Sequence, residues 1–264
     1  MSNDSLAAPP YPPPRRTLAI SLWRYLILTR VLLTEYRTTW FYHSFFGTVM
    51  PLGLIFFFKT MNGAMSVQQA VFLLGGNMAL SIAYGPTQMM IVKIGWARET
   101  REFDYWAMLP IPKLALILAM VSVYLLFAVP GIVSSYVFGI WMFGLRPEGS
   151  LILIPLVPLS ALSLTGFGAL LGMYARTGQT AMAYAQALIG FVTFLSPMLM
   201  PLEAMPRLLQ MIAIFVPTTY VADAFRMVLS GNWGARLMYD ILILTALVGL
   251  FLLVSHRRLD WRTS

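Results

Sequence analysis

The residues best able to do chemistry are concentrated in one stretch, KIGWARETREFDYWAMLPIPK, from Lys93 to Lys113. The chain has 18 basic and 10 acidic side chains, and seven of them lie in this stretch. Arg98 and Glu102 are spaced to pair on a short helix, which the prolines that follow would end. Large apolar side chains among charges are typical of a surface on which a protein partner docks. The spacing fits equally well a loop that packs on its own chain.

Patterns typical of enzymes and metal sites are missing from the sequence. The chain has no cysteine, and its two histidines, His43 and His256, lie far apart at the margins of apolar runs. It contains neither a G-x-S-x-G nucleophile motif nor a G-x-x-x-x-G-K-[ST] nucleotide loop. We therefore expect no catalytic residue, no metal site and no cofactor bound by this chain. Energy, if it is used, must come from another chain.

The elements that position the charged stretch are predicted to be membrane helices. The sequence is 59% hydrophobic with a mean hydropathy of +0.75, and about 20 apolar residues suffice to cross a membrane. We predict an all-α membrane protein with six transmembrane helices. The net charge of +8 is explained better by basic membrane loops than by nucleic acid as a partner. The six apolar runs are residues 41–58, 67–92, 114–143, 151–175, 181–199 and 237–254.

The distribution of basic residues predicts the orientation of these spans. With the N-terminus in the cytoplasm, 13 of the 18 basic residues fall on the cytoplasmic side, as the excess of Lys and Arg in cytoplasmic loops requires. An even number of spans places the C-terminus there as well. We therefore predict a multi-pass protein of the inner or plasma membrane with both termini in the cytoplasm, in which the charged stretch joins spans 2 and 3.

Four segments divide the chain. Residues 1–16 are rich in proline and are predicted to be a disordered cytoplasmic tail, and residues 256–264 form a basic cytoplasmic tail. Residues 17–40 alternate apolar and arginine positions at helical spacing, which predicts an amphipathic helix lying in the headgroup layer. An ordinary cytoplasmic helix packed on the bundle is the alternative. Residues 41–255 hold the six-span domain.

Polar residues within the predicted spans are candidates for a transport pathway. Each is explained equally well by a hydrogen bond to a neighbouring helix. The candidates are Asn77, Gln88, Gln186 and Thr193.

The segment RETREFDYWAMLPIP resembles the cytoplasmic coupling segment of ABC-2 type transporter permeases. Arg98, Glu99, Asp104, Tyr105, Pro110 and Ile111 match it. Where the family usually has Gly-Thr, this chain has Arg101 and Glu102, which bears on the local turn. The resemblance implies a cytoplasmic coupling helix between spans 2 and 3 that contacts an ATPase. The implied coupling residues are Arg98, Glu99, Arg101, Glu102, Phe103, Asp104, Tyr105, Trp106, Leu109 and Pro110.

A second segment, residues 195–231, resembles the family's stretch between spans 5 and 6. Val216 replaces the usual Asn, so one side-chain cap is expected to be missing. The resemblance implies a re-entrant helical segment that closes the outer end of a pathway, and an interfacial helix without a gating role is the alternative. The implied gate residues are Ser196, Pro197, Pro201, Glu203, Pro206, Pro217, Thr219, Tyr220 and Arg226.

The two resemblances together imply the membrane subunit of an ABC-2 exporter. The expected partners are two copies of an ABC ATPase, which would bind ATP and Mg, a second permease copy in a homodimer, and membrane lipid. An amphiphilic or drug-like substrate is favoured, since Met-rich and aromatic surfaces repack around varied ligands. Export of polysaccharide or lipid-linked glycan by the same architecture is the first alternative. A membrane scaffold that transports nothing is a more distant one.

Overall fold

The computed structural model describes residues 18–62, 65–108, 113–144, 150–195, 197–198 and 201–258. Within these residues the chain is helical and contains no β-strand, which confirms the all-α prediction. The predicted tail 1–16, Leu109, Pro110, Ser196 and residues 259–264 lie outside the described residues. The helices are α1 (Leu18–Glu35), α2 (Trp40–Asn62), α3 (Val67–Ile82), α4 (Gln88–Glu99), α5 (Glu102–Met108), α6 (Lys113–Phe143), α7 (Ser150–Tyr174), α8 (Gly178–Leu195), α9 (Arg207–Phe215), α10 (Pro217–Leu229) and α11 (Ala235–Arg258).

Four described helices are long and apolar enough to cross a membrane. They are Trp40–Met61 in α2, Ala115–Phe143 in α6, Leu151–Tyr174 in α7 and Ala235–Val254 in α11. The pair α9 and α10, bent by 87°, adds a fifth if it is counted as one span. The predicted number of six therefore stays a prediction. The predicted span 67–92 is divided between α3 and α4, and two glutamines lower the hydropathy of α8.

A π-helical turn, Ala83–Thr87, joins α3 to α4 without interrupting the helical run. Pro86 lacks the N–H that would reach the Ile82 carbonyl in an α-helix. The Thr87 hydroxyl donates to that carbonyl instead, at 3.1 Å. The proline therefore widens the helix locally without leaving a buried carbonyl unpaired.

The core lies along α3, α6, α7 and α10. The largest fully buried side chains include Met78 of α3, Tyr124 of α6, Leu164 of α7 and Phe225 of α10. Helices α3 and α10 are buried over most of their residues, whereas α6 and α7 bury one side and expose apolar residues on the other. Around them α2, α8 and α11 expose wide apolar surfaces, as expected of helices that face lipid or another subunit.

Helix α1 packs across α6 by one face and exposes apolar residues on another. Tyr25 donates to the Ser122 hydroxyl at 2.7 Å, and Leu28 and Leu32 are buried. On its outer side Leu22 and Trp23 are more than half exposed. The structure thus combines features of both predicted alternatives, a helix packed on the bundle and a helix whose free side suits the headgroup layer. The location of α1 in that layer stays a prediction.

Candidate functional site

The charged stretch folds as two helices joined by a sharp turn. Helix α4 ends at Glu99 and α5 begins at Glu102. Between them Arg101 has φ 57°, in the left-handed region that glycine adopts most readily. Arg101 thus adopts a glycine-like conformation at the first of the two positions where the resemblance expected Gly-Thr. The chain makes a sharp turn here without a glycine.

Arg98 and Glu99 bind the turn between α7 and α8. Arg98 Nη1 donates to the carbonyls of Met173 and Ala175, at 2.5 and 3.2 Å. The Gly178 N–H, at the first residue of α8, donates to Glu99 Oε2 at 2.6 Å. A cation thus lies at the C-terminal end of one helix and an anion at the N-terminal end of the next, where each is favoured. The last two residues of α4 therefore brace this helix against the α7–α8 turn.

Lys93 is the centre of an ion cluster that joins α1, α4 and α5. Its Nζ lies 2.7 Å from Glu35 Oε1 and 3.1 Å from Glu102 Oε1, and its side chain is only 10% exposed. It also lies 5.6 Å from the centre of the Trp106 ring. Burial acts to lower the pKa of Lys93, but the two carboxylates outweigh it, and the pKa is raised above its usual value. The structure therefore gives Glu102 a different partner from the Arg98 that its spacing suggested.

Helix α5 has an inner and an outer face. Trp106 is buried, with its ring edge-on to Phe103 at 5.4 Å between centres. Tyr105 is 59% exposed and Met108 is 77% exposed. The inner face fixes α5 to its own chain. The outer face leaves an aromatic and a thioether side chain exposed.

A cavity of about 820 Å³ lies between α2, the π-helical turn, α4 and α8. The Lys93 cluster borders it, and its other walls are mainly aromatic and amide side chains. Two of the four predicted pathway residues, Gln88 and Gln186, line this cavity. Further lining residues are Tyr36, Tyr42, His43, Tyr84, Trp96 and Phe127.

The other two predicted pathway residues make contacts between helices. Thr193 lies within hydrogen-bond distance of the Tyr84 hydroxyl, at 3.0 Å, and thus supports the cavity wall. Asn77 is buried and donates to the Pro51 carbonyl of α2 at 2.7 Å. This amide lies in the contact of α3 with α2 and does not line the cavity.

The corner between α9 and α10 is closed by side chains of α10. Val216 supplies no side-chain cap, as predicted from the missing Asn, and Pro217 occupies the first turn of α10. Thr219 donates to the Ala213 carbonyl at 2.6 Å, and Tyr220 to the Ile214 carbonyl at 2.8 Å. These two hydroxyls satisfy carbonyls at the end of α9 and hold the bend of 87°.

Arg226 of α10 connects α3 with the chain that follows α8. Its guanidinium donates to the carbonyls of Phe72 at 3.1 Å, Pro197 at 2.6 Å and Met198 at 3.0 Å. It also stacks 3.6 Å from the centre of the Phe72 ring. A Cβ on Gly76 would lie 2.0 Å from the Met198 carbonyl, so this approach requires glycine.

Four of the nine predicted gate residues line a second cavity, of about 670 Å³. Pro197, Pro201, Thr219 and Arg226 line it. Pro206 immediately precedes α9, and Glu203 lies in a short 3-10 turn, Leu202–Ala204. The two segments identified from the sequence therefore lie at two separate cavities.

The sequence model of the ABC-2 type transporter family matches residues 24–230. The chain belongs to the ABC-2 type transporter family. A comparison with curated proteins found no match. The matched range begins in α1 and ends just after α10. It includes the Lys93 cluster, the cavity of about 820 Å³, and every lining residue of the second cavity except Arg236.

Membership of the ABC-2 family fixes the general role of the chain. The membrane domain of an ABC-2 transporter is a permease and not an ATPase, and it generally works with ABC ATPase subunits. With its several helices of spanning length, the chain is a membrane protein. The α4–α5 turn is the part of this ABC-2 permease whose sequence resembles the coupling segment.

Sequence reasoning missed two parts of the Lys93 cluster in this ABC-2 permease. Glu35 was not singled out, and Lys93 was noted only as the start of the charged stretch. Their contact joins residues 58 positions apart, and no local spacing indicates it. The only signal available was that Glu35 is the one acidic residue of α1, in a helix whose other charges are arginines.

Proposed function

We propose that the chain is the permease subunit of an ATP-driven exporter that moves an amphiphilic or drug-like substrate out of the cytoplasm or inner leaflet by alternating access. It acts as a homodimer with two ABC ATPase subunits, which bind ATP and Mg. The observation that carries the substrate class is the cavity of about 820 Å³, a volume typical of sites for drug-sized molecules. Its aromatic and amide walls suit a molecule with both apolar and polar parts.

The coupling step follows from the contacts of α4. The outer face of α5, with Tyr105 and Met108, docks on the ATPase. Movement of α5 reaches α4 through Glu102 and Lys93. It reaches α8 through the contact of Glu99 with Gly178. Because α4 and α8 are two walls of the cavity, closure of the ATPase dimer changes the shape of the cavity.

Transport is tested in inverted membrane vesicles from cells that produce the permease with its ABC ATPase. We expect ATP-dependent accumulation of fluorescent amphiphiles, with an altered order of preference among them in Trp96→Ala and Gln186→Leu. Asn77→Asp is not a suitable control, because Asn77 is buried. The control is Met238→Ala, because Met238 on α11 is 68% exposed. Accumulation of a labelled polysaccharide and of no amphiphile would favour the glycan alternative.

Coupling is tested on the outer face of α5. Tyr105→Ala with Met108→Ala removes only exposed side chains, so we expect weaker copurification of the ATPase without loss of permease stability. Tyr239→Ala is a matched control, since Tyr105 is 59% and Tyr239 60% exposed. Trp106→Ala is expected to lower stability as well, because Trp106 is buried. Unchanged ATPase association and transport in the double variant and in Asp104→Arg would refute the docking assignment.

A further inference from the structure

A third groove, of about 440 Å³, lies on the outer side of α1, where this helix crosses α6 and meets the start of α2. One part of its wall is basic and is formed by Arg30 and Arg37. Another part is apolar and includes Leu33 of α1 and Leu126 of α6. The groove is therefore amphipathic.

Neither of the two arginines of this groove forms an ion pair with a residue that the structure describes. Both are exposed, and within the described part of the chain the ion pairs are made by Lys93 and Arg236. The Arg37 N–H donates to the Thr34 carbonyl at 3.2 Å, which turns the chain so that Arg37 lines the same groove as Arg30. Two guanidinium groups are thus held beside one groove without a described carboxylate on either.

We propose that this groove binds an anionic phospholipid of the cytoplasmic leaflet. The guanidiniums of Arg30 and Arg37 suit a phosphate, which arginine binds in a bidentate manner. The apolar wall suits the first part of an acyl chain. Trp40, which also lines the groove, is the type of residue that lies at the membrane interface. Basic pockets beside membrane helices on the cytoplasmic side are favourable sites for anionic headgroups.

The lipid site would bear on the position of α1. Arg30 faces the groove, whereas Glu35, on another side of the same helix, binds Lys93. A bound lipid thus holds α1 from outside while the ion cluster holds it from inside. The groove shares only Phe127 with the lining of the substrate cavity and requires only that α1 lies in the headgroup layer, so its test does not depend on transport.

The test measures the thermal unfolding of the purified, delipidated full-length chain in detergent. We expect dioleoyl phosphatidylglycerol to raise the unfolding temperature and dioleoyl phosphatidylcholine to leave it unchanged. In Arg30→Gln with Arg37→Gln the half-saturating concentration of phosphatidylglycerol is expected to rise about 30-fold, since each arginine near the surface contributes roughly a factor of five. Arg30→Lys with Arg37→Lys is expected to give a smaller rise, because the charge remains.

The control is Arg24→Gln, which removes an arginine of the same helix that does not line the groove. It should respond to phosphatidylglycerol like the parent protein. An equal response of all variants, an equal effect of phosphatidylcholine, or equal protection by soluble glycerol phosphate would each overturn the proposal. A second readout is quenching of tryptophan fluorescence by brominated phosphatidylglycerol, which should decrease in Trp40→Phe. Quenching that is the same in Trp40→Phe would place the lipid elsewhere.

Discussion

Arg101 holds a backbone conformation that is costly for any residue with a Cβ. The left-handed region costs a non-glycine residue roughly 1–2 kcal/mol. Replacement by glycine removes this cost but destabilises the folded state by about 0.5–1 kcal/mol, because glycine has greater freedom in the unfolded chain. Because the side chain of Arg101 is exposed, little packing is lost on its removal. The turn is therefore a place where one substitution is expected to stabilise the protein.

We expect Arg101→Gly to raise the free energy of unfolding by about 0.5–1 kcal/mol. Thermal or denaturant unfolding in detergent measures the change. The matched control is Thr100→Gly, next in the chain, where φ is −82° and glycine brings no relief. Thr100→Gly is expected to destabilise the protein. Equal changes in the two variants would show that the conformation of Arg101 is not strained in solution.

Arg226 is one side chain that joins three segments, α3, α10 and the chain after α8. We expect Arg226→Met to lower the free energy of unfolding by about 2–3 kcal/mol, since hydrogen bonds from a charged donor contribute about 1.5–3 kcal/mol. The free energy of unfolding of Arg226→Lys should lie between those of the parent protein and Arg226→Met. Lysine keeps the charge, but its ammonium cannot reproduce the planar donor geometry and the stack on Phe72. The control is Arg236→Gln, whose side chain is 68% exposed in its pair with Asp223. A loss from Arg236→Gln as large as that from Arg226→Met would contradict this ranking.

At the scale of elements, the Lys93 cluster holds α1, α4 and α5 together. We expect Lys93→Met to lower the free energy of unfolding by about 1–2 kcal/mol, because two carboxylates are left facing each other. Lys59→Met is the control, since Lys59 lies over the Phe143 ring at 5.8 Å and belongs to no described ion pair. If the two variants were equally stable, the cluster would contribute no more than an isolated lysine.

The same cluster predicts the direction of a pH effect. The pKa of Lys93 is raised in the folded state above its ordinary value of 10.5. Its contribution to stability is therefore fully present below about pH 10.5 and is lost as the pH rises through the raised pKa. We expect alkaline unfolding profiles of the parent and of Lys93→Met to converge above that pH. Profiles that run parallel through the alkaline range would exclude this linkage.

Elements that depend on local sequence were predictable, and contacts across the bundle were not. The broken segment 195–231 is visible in its prolines, and the missing cap at Val216 follows from one residue type. Arg98 by contrast binds the carbonyl of Met173, 75 positions away, and Glu35 binds Lys93. Which residues become such partners depends on how the helices pack together. The periodicity of a single helix carries no information about that packing.

The span count shows the same limit for apolar runs. The run 67–92 is continuous both in composition and as a helix, but its middle, Ala83–Thr87, contains Pro86 and is π-helical, with α3 before it and α4 after it. A hydropathy pattern does not distinguish this arrangement from one uniform helix. Likewise, the division of α5 into an inner face with Trp106 and an outer face with Tyr105 depends on where Lys93 and Glu102 lie in three dimensions.

At the scale of the whole molecule, the predicted orientation is testable because the chain has no cysteine. Each single-cysteine variant therefore carries one unique label site. Tyr174, 64% exposed at the end of α7, is predicted to face the cytoplasm, and Trp233, 53% exposed before α11, the outside. In intact cells an impermeant maleimide is expected to label Trp233→Cys and not Tyr174→Cys. After permeabilisation both variants should be labelled. Labelling of Tyr174→Cys and not of Trp233→Cys in intact cells would show that the topology is the opposite of the predicted one.

The brace between α4 and the α7–α8 turn has a consequence for the order in which the protein is made. Arg98 lies 75 residues before Met173, and Glu99 lies 79 residues before Gly178. A ribosome adds roughly 5–20 residues per second, so α4 leaves it about 4–16 s before its partners exist. During that interval the guanidinium and the carboxylate must be satisfied by water, headgroups or a bound protein. Formation of the brace is therefore a late step of biogenesis. It requires that α7 and α8 have been synthesised and have packed against α4.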